Sequence, residues 1–245
     1  MNAKKTPKQK EIELREELLV KTAGQILLTE GFAALSMERL AEELNTAKGT
    51  IYNHYPNREE LLLAMAVKAI NKRQSMFDKA STCQGGSRER ILAVGVACEL
   101  YRRNYPLHFV VESVVRHSAI WDRCTEERRD LMRKHEHRCM SLVSGIVRSA
   151  IADGDLTLPG TINPEEMTLS LWALTFGSYV IDMTSPSLKD IGIDSIHRSV
   201  RLGALHLLNG YAWQPIWSAA EHDDHMVRVC NAVFPDETPL PHSAF

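Results

Sequence analysis

No uninterrupted apolar run in this chain of 245 residues reaches the roughly 18 residues that a membrane-crossing helix needs. The opening MNAKKTPKQK likewise lacks the apolar stretch of a secretory signal, so a cytoplasmic protein with no membrane partner is expected. Cysteine is scarce: five residues, an odd number without a CxxC spacing, fit free thiols in a reducing compartment rather than a disulfide framework. Metal-ligand spacing is also missing. His135 and Cys139 would share one face of a helix while His137 points away, and neither this group nor His222 with His225 supplies a third ligand, so no metal is expected. There is no glycine-rich phosphate loop, no GxSxG and no HExxH, so catalysis has no anchor; neither an enzyme nor a cofactor is expected. Asp153 and Asp155, which bracket Gly154, read as caps rather than an acid pair. Nor is there an excess of one charge. Lys and Arg number 29 against 31 Asp and Glu, a net charge of −2, so the total gives no hint of a polyanionic partner.

What is present is helical periodicity. A hydrophobic share of 44% can bury one large core or two modest ones. Alternating strand patterns and internal repeats are absent, and the fold class expected is all-α. Residues 1–10, with four lysines and almost no apolar side chain, read as a basic disordered tail: a solubility tail or an arm that follows DNA. Met37, Leu40, Ala41 and Leu44 fall at i, i+3, i+4 and i+7 behind Ser36, a suitable N-cap, which predicts a helix of about two turns. Asn45 tolerates the left-handed turn that would end it, and Thr46 is the expected cap of a second short helix reaching Tyr55. Pro56 stops that helix, while Asn57 followed by Glu60 restarts the chain as a third.

The stretch KGTIYNHYPNREEL, Lys48 to Leu61, is the most informative part of the chain. Ile51 and Tyr55 are four apart and face the core, leaving Lys48, Thr50, Tyr52, Asn53 and His54 over the remaining surface. These are groups that bind phosphates or base edges. Residues 46–58 hold two basic residues and no acid, although residues 1–60 hold nine basic and ten acidic ones. An acid-free patch inside a balanced segment is what a phosphate-facing surface requires.

Residues 19–62 resemble the N-terminal domain of the TetR/AcrR family of bacterial transcriptional regulators, whose common pattern includes KGTLYHYFPSKEEL. The stripe Leu19, Ala23, Ile26 and Leu27, then Gly31-Phe32, Ser36-Met37, Leu40-Ala41 and Lys48-Gly49-Thr50-Ile51-Tyr52 stand at the family's spacing. The resemblance implies phosphate contacts from Lys48 and Tyr52, a phosphate or base contact from Thr50, base readout at Asn53, and close approach to DNA at Gly49. It further implies an anchor of the next helix to the backbone at Arg58, while His54 is a candidate DNA contact from its place on the helix surface alone. Asn45, Thr46, Ala47 and His54 depart from the common residues. Glu38 stands where a donor is frequent, which lowers the expected phosphate binding of the first of the two short helices.

The expected organisation is thus a tail over 1–10, a helix-turn-helix head over 11–57 and a helical ligand-binding and dimerisation body over 58–245. In the body, helices are expected over 58–79, 88–103, 107–118, 126–152, 164–183, 195–209 and 223–233. The helix from Pro164 carries two apolar stripes, and a helix apolar on two sides must bury both. The resemblance implies a homodimer through this helix and the next, with Leu171, Leu174, Ser178, Ile181, Val200, Gly203 and Leu207 as candidates for the interface. Phe109, Trp121, Met132, Trp172, Phe176 and Tyr179 are candidate walls of a pocket for a small, largely apolar effector. The function implied is that of a nucleoid-associated bacterial regulator, most often a repressor, that binds a pseudo-palindromic double-stranded DNA operator and releases it when the effector binds. The alternatives are a ligand-independent DNA-binding or co-regulatory homodimer of the same fold and, from another class, a helical enzyme.

Overall fold

A computed structural model describes residues 6–116, 118–185 and 187–240. Eleven α-helices and no strand are found among the described residues: α1 (Pro7–Thr29), α2 (Met37–Glu43), α3 (Lys48–His54), α4 (Arg58–Ser81), α5 (Ser87–Asn104), α6 (Pro106–Val114), α7 (Ser118–Trp121), α8 (Glu126–Ala152), α9 (Pro164–Thr184), α10 (Ile196–Gly210) and α11 (Ala219–Val233). Two compact units are formed, one from Met1–Ile70 with Leu107–Arg133, the other from Asn71–Pro106 with Lys134–Phe245. The expected boundary after residue 57 therefore does not coincide with a compact unit, because the first half of α4 and the segment around α6 and α7 complete the head's core.

Residues 7–10 are helical rather than a tail, and the cause is local. The Gln9 amide donates to the Thr6 hydroxyl oxygen at 3.3 Å, the Gln9 side chain accepts from the Thr6 amide at 2.8 Å, and Pro7 occupies the first helical position. Residues 1–5 of the expected tail, with Lys4 and Lys5, lie outside the described residues.

In the first unit, Leu19, Ala23, Ile26 and Leu27 of α1 pack with Leu35, Met37, Leu40 and Ala41, and all are buried with Ile51, Tyr55, Leu61 and Leu62. Each leucine, isoleucine or methionine among them contributes about 1.5–3 kcal/mol by leaving water. Gly24 lies close against Leu107: a Cβ on it would stand 2.4 Å from the end of that side chain, which would have to turn aside to admit a larger residue.

In the second unit α5 packs on α11 and α9 on α10. Ile91, Leu92, Val96 and Leu100 of α5 are buried, as are Leu205 and Leu208 of α10 and Met226, Val229 and Cys230 of α11. Trp213 is fully buried and donates from its indole nitrogen to Ser87 Oγ at 2.9 Å, while the Arg88 guanidinium donates to the Trp213 carbonyl at 3.2 Å and to Asn209 Oδ1 at 2.7 Å. α9 begins at the expected place, with Asn163 as N-cap, Pro164 in the first position and Glu166 closing a capping box. Asp155 does not cap a helix; it accepts a 2.6 Å hydrogen bond from the Ser87 hydroxyl.

Candidate nucleic-acid interface

The interface is built on α2, α3 and the tight turn between them. The Ser36 hydroxyl accepts from the Arg39 amide at 3.0 Å and starts α2 as the sequence predicts. Asn45 takes a φ of +45°, the left-handed turn expected of it, and the Thr46 amide returns to the Ala41 carbonyl at 2.9 Å. Thr46 itself does not cap α3. Ala47 is the N-cap and makes no side-chain cap bond, because the turn consumes one residue more than expected.

Ile51 and Tyr55 are buried, as their spacing requires, so the register of the seven-residue α3 is fixed. Lys48, Gly49, Tyr52 and Asn53 are exposed and Thr50 is half-buried. A Cβ on Gly49 would meet nothing within 4 Å, so no packing inside the chain asks for glycine there. The Lys48 ammonium stands 3.6 Å from Glu38, and the Tyr52 hydroxyl donates to the same carboxylate at 3.4 Å. At Glu38 partial loss of hydration pushes the carboxyl up, but it is outweighed. A backbone amide at the start of α2, and then Lys48 and Tyr52, hold its carboxyl below the usual range.

Two residues predicted to face DNA are placed elsewhere. His54 follows Ile51 by three positions and so shares its inward face; its side chain is only 9% exposed and its ring nitrogen stands 3.9 Å from Glu16 of α1. Arg58 is engaged within the head: it donates to the Leu35 carbonyl at 3.1 Å, pairs with Glu59 at 3.3 Å and covers the Phe32 ring at 4.5 Å. It braces the head rather than reaching outward. Asn57 caps α4 through the Glu60 amide at 2.8 Å, but the Glu60 carboxylate does not complete a capping box. It accepts instead from the Thr125 amide and pairs with Arg128 at 2.6 Å.

The six expected pocket walls divide between the units. Phe109, Trp121 and Met132 belong to the first, and Trp172, Phe176 and Tyr179 to the second. Phe109, Met132 and Tyr179 are core side chains, since each is nearly inaccessible. Trp121 is partly buried under Arg133, and Trp172 and Phe176 are half-buried with ring centroids 6.0 Å apart. An open groove of about 620 Å³ lies elsewhere in the second unit, lined by Lys79, Cys83, Glu89, His225, Arg228 and Val229 among others.

The expected dimer face is also revised. Leu171 and Val200 are buried within the chain, and Gly203 admits Leu174, whose nearest atom would be 3.1 Å from an added Cβ. The close approach that Gly203 permits is therefore between α9 and α10 of one chain. Ser178 and Leu207 are half-buried. Ile181 is 52% exposed and Leu169 51% exposed, with Met183 open as well. A stripe Leu169, Ala173, Phe176, Val180 and Met183, spaced four and three apart, is exposed or half-buried along its length.

Pattern reading missed the charges buried under α9. Arg201 clasps Glu99 with two hydrogen bonds, 2.7 and 2.8 Å, and reaches Asp223 at 3.3 Å, while Arg103 adds a 2.8 Å bond to Glu99. Burial alone pushes the Glu99 carboxyl up, but Arg201, with help from His197 and Arg103, holds it below the usual range. His197 stands 3.4 Å from the Tyr179 hydroxyl, and burial pushes its pKa down to about 4 against the pull of Glu99. His222 is likewise pushed down to about 4, by burial first and then by Arg88 and Arg201. Nothing in a linear pattern announces this network, because its partners stand up to 102 residues apart. Among the described residues no group of three or more side chains is arranged to hold a metal ion, and no helix is long and apolar enough to cross a membrane.

A short exposed helix set behind a left-handed turn, on a three-helix core, defines a helix-turn-helix head. Residues 19–65 match the family described as bacterial regulatory proteins, tetR family. The transcriptional regulator EthR of Mycolicibacterium smegmatis is 28% identical over 94 residues, which are 38% of this chain and 42% of that protein. The chain thus aligns with less than half of that relative's length. A TetR/AcrR-family regulator from Thermobifida fusca has a similar solved structure, with a TM-score of 0.60 and 21% identity over 80% of this chain and 98% of that one. The fatty acid degradation regulator FadR of Bacillus halodurans gives a TM-score of 0.62 at 14% identity, covering 86% and 100%. The match to the tetR family covers residues 19–65, and the described residues share an all-α fold with these solved structures.

Proposed function

We propose that this protein is a homodimeric regulator that places α3 of each subunit in successive major grooves of a pseudo-palindromic operator and represses transcription there. The observation that carries the reading is the exposed group Lys48, Tyr52 and Asn53 on a helix whose other face is locked by Ile51 and Tyr55. Lys48 and Tyr52 donate to phosphates, which positions the helix, and Asn53 reads base edges. Gly49 lets the helix backbone approach closely. His54 acts indirectly, by holding α3 against α1, and Arg58 by holding the start of α4 against the Leu35 turn.

Dimerisation uses the open stripe of α9, from Leu169 through Phe176 and Val180 to Met183, together with Ile181. Contiguous apolar surface of this kind is unusual on a soluble monomer. Trp172 remains the best candidate for contact with a small, largely apolar effector, and release follows if the effector binds better to a form whose heads no longer match the grooves. A ligand-independent regulator of the same fold is the second reading. It is favoured by one observation, that Phe109, Met132 and Tyr179 fill cores instead of lining a wall.

Selection of duplexes from a random pool by the full chain, followed by sequencing, tests the first reading. It predicts a motif of two inverted half-sites centred about one helical turn, 10 bp, apart or a multiple of that. Failure to enrich any motif would overturn it.

A further inference from the structure

The donors expected to grip phosphate are not idle in the free protein, since both converge on one carboxylate. Glu38, in the first turn of α2, accepts from the Tyr52 hydroxyl at 3.4 Å and stands 3.6 Å from the Lys48 ammonium. All three side chains are exposed: Lys48 61%, Glu38 48% and Tyr52 at 42% as a residue. Arg39 beside it does not neutralise this acid, because Arg39 pairs with Glu43 at 2.8 Å and Glu30 at 3.5 Å. A carboxylate thus occupies, on the outer face of the head, the place between an ammonium and a phenol that a DNA phosphate oxygen would take.

We infer that Glu38 is an internal competitor for phosphate, which holds Lys48 and Tyr52 until DNA displaces it and so sets the affinity of the head for all DNA. The inference rests on the DNA-binding reading given above and deepens it. When a phosphate arrives, the two contacts to Glu38 break and the carboxylate is left beside the DNA backbone, where like charges repel. The cost falls on every sequence alike, because phosphate contacts carry no base information. Its effect is to keep non-specific binding low, so that only a site that also satisfies Asn53 and its symmetry mate is held firmly. It also removes about one unit of effective positive charge from the binding face, which flattens the salt dependence. A purely structural role makes a different forecast. An acid in a first helical turn stabilises the helix through its dipole, and losing it would lower thermal stability without tightening DNA binding.

The test is fluorescence anisotropy of the full-length protein on two labelled duplexes, a selected operator and a random sequence of equal length, over a range of salt concentrations. Glu38→Gln, and Glu38→Ala as a second variant, are compared with wild type after thermal unfolding confirms that each is folded at the assay temperature. Both are expected to bind both duplexes about 3- to 10-fold more tightly, with the slope of log K against log salt steeper by about 0.9. In a Lys48→Ala/Tyr52→Phe background the gain from Glu38→Gln is expected to shrink toward unity. A full gain in that background would show that the carboxylate repels DNA without engaging the two donors, and would overturn the inference. So would unchanged affinity, or a loss confined to the operator, which would make Glu38 a base-reading residue. If wild type and variants alike bind neither duplex above background at low salt, the DNA-binding reading itself falls and takes the inference with it.

Discussion

The outer face of the head and the interior of the second unit use the same charged residue types in opposite ways. On the head, Lys48 is 61% exposed and its nearest acid is 3.6 Å away. Inside the second unit, Arg201 is 3% exposed, clasps Glu99 with Nε and one terminal nitrogen and reaches Asp223 with the other. The first arrangement is loosely paired and open, so a stronger anion can replace the partner. The second is saturated and closed. Breaking one member strands a charge where water cannot reach it. A balanced composition hides this division, since it is placement that makes one cation available and the other structural.

The largest effect should come from breaking the closed arrangement. Arg201→Ala leaves Glu99 and Asp223 buried without their shared partner, and chemical denaturation should show a loss of about 3–5 kcal/mol. Lys48→Ala should leave the denaturation midpoint nearly unchanged. A loss under 1 kcal/mol at Arg201 would mean that water reaches Glu99 and that the two regions differ less than their burial indicates.

Titration sharpens the same contrast. Buried His222 is held neutral, with a pKa of about 4 against an ordinary 6.5. Between those values the unfolded chain binds a proton that the folded chain refuses, so stability is complete above about pH 6.5 and declines as the pH falls toward 4. The decline from this one group is on the order of 3 kcal/mol. His197 acts in the same direction, and Glu99, whose pKa is lowered, adds its loss further down as it becomes protonated. Stability measured against pH should therefore fall less steeply in His222→Phe than in wild type across that window. Identical slopes would show that His222 charges freely in the folded state.

A smaller energetic step, with a plain readout, concerns the apolar stripe of α9. Phe176→Glu and, separately, Ile181→Glu are expected to halve the mass seen by light scattering while helicity is retained. Leu207→Glu serves as the contrasting change on α10. A dimer that survives both α9 changes would move the interface off this helix.

Much of the head was legible because short-range rules fix it. Ser36, Asn45, Pro56 and Asn57 each act within four residues, and the i, i+4 pair Ile51 and Tyr55 sets which face of α3 is open. The same periodicity, applied one residue too generously, put His54 outside. Arg58 was misplaced for a different reason: its partners Leu35 and Phe32 are brought to it by the fold, and a solvated cation and a buried brace look alike in sequence. In the second unit most helix boundaries fell within a few residues of expectation because Gly85-Gly86, Pro164 and Ser195 punctuate the chain. Which of the two stripes of α9 meets the chain's own core was not legible. Both are apolar, and only the packing of Leu174 against Gly203 decides between them. The buried group Glu99, Arg201 and Asp223 was invisible for the same reason, since its members come from three helices.

The most direct test of the claim that α3 reads DNA is to select duplexes from one random pool with wild type and with Asn53→Ala, and to compare the enriched motifs. The account predicts that the mutant motif loses preference at one position in each half-site, worth about 1–3 kcal/mol, and keeps its half-site spacing and its affinity for random duplex. An unchanged motif, or no motif with either protein, would contradict it.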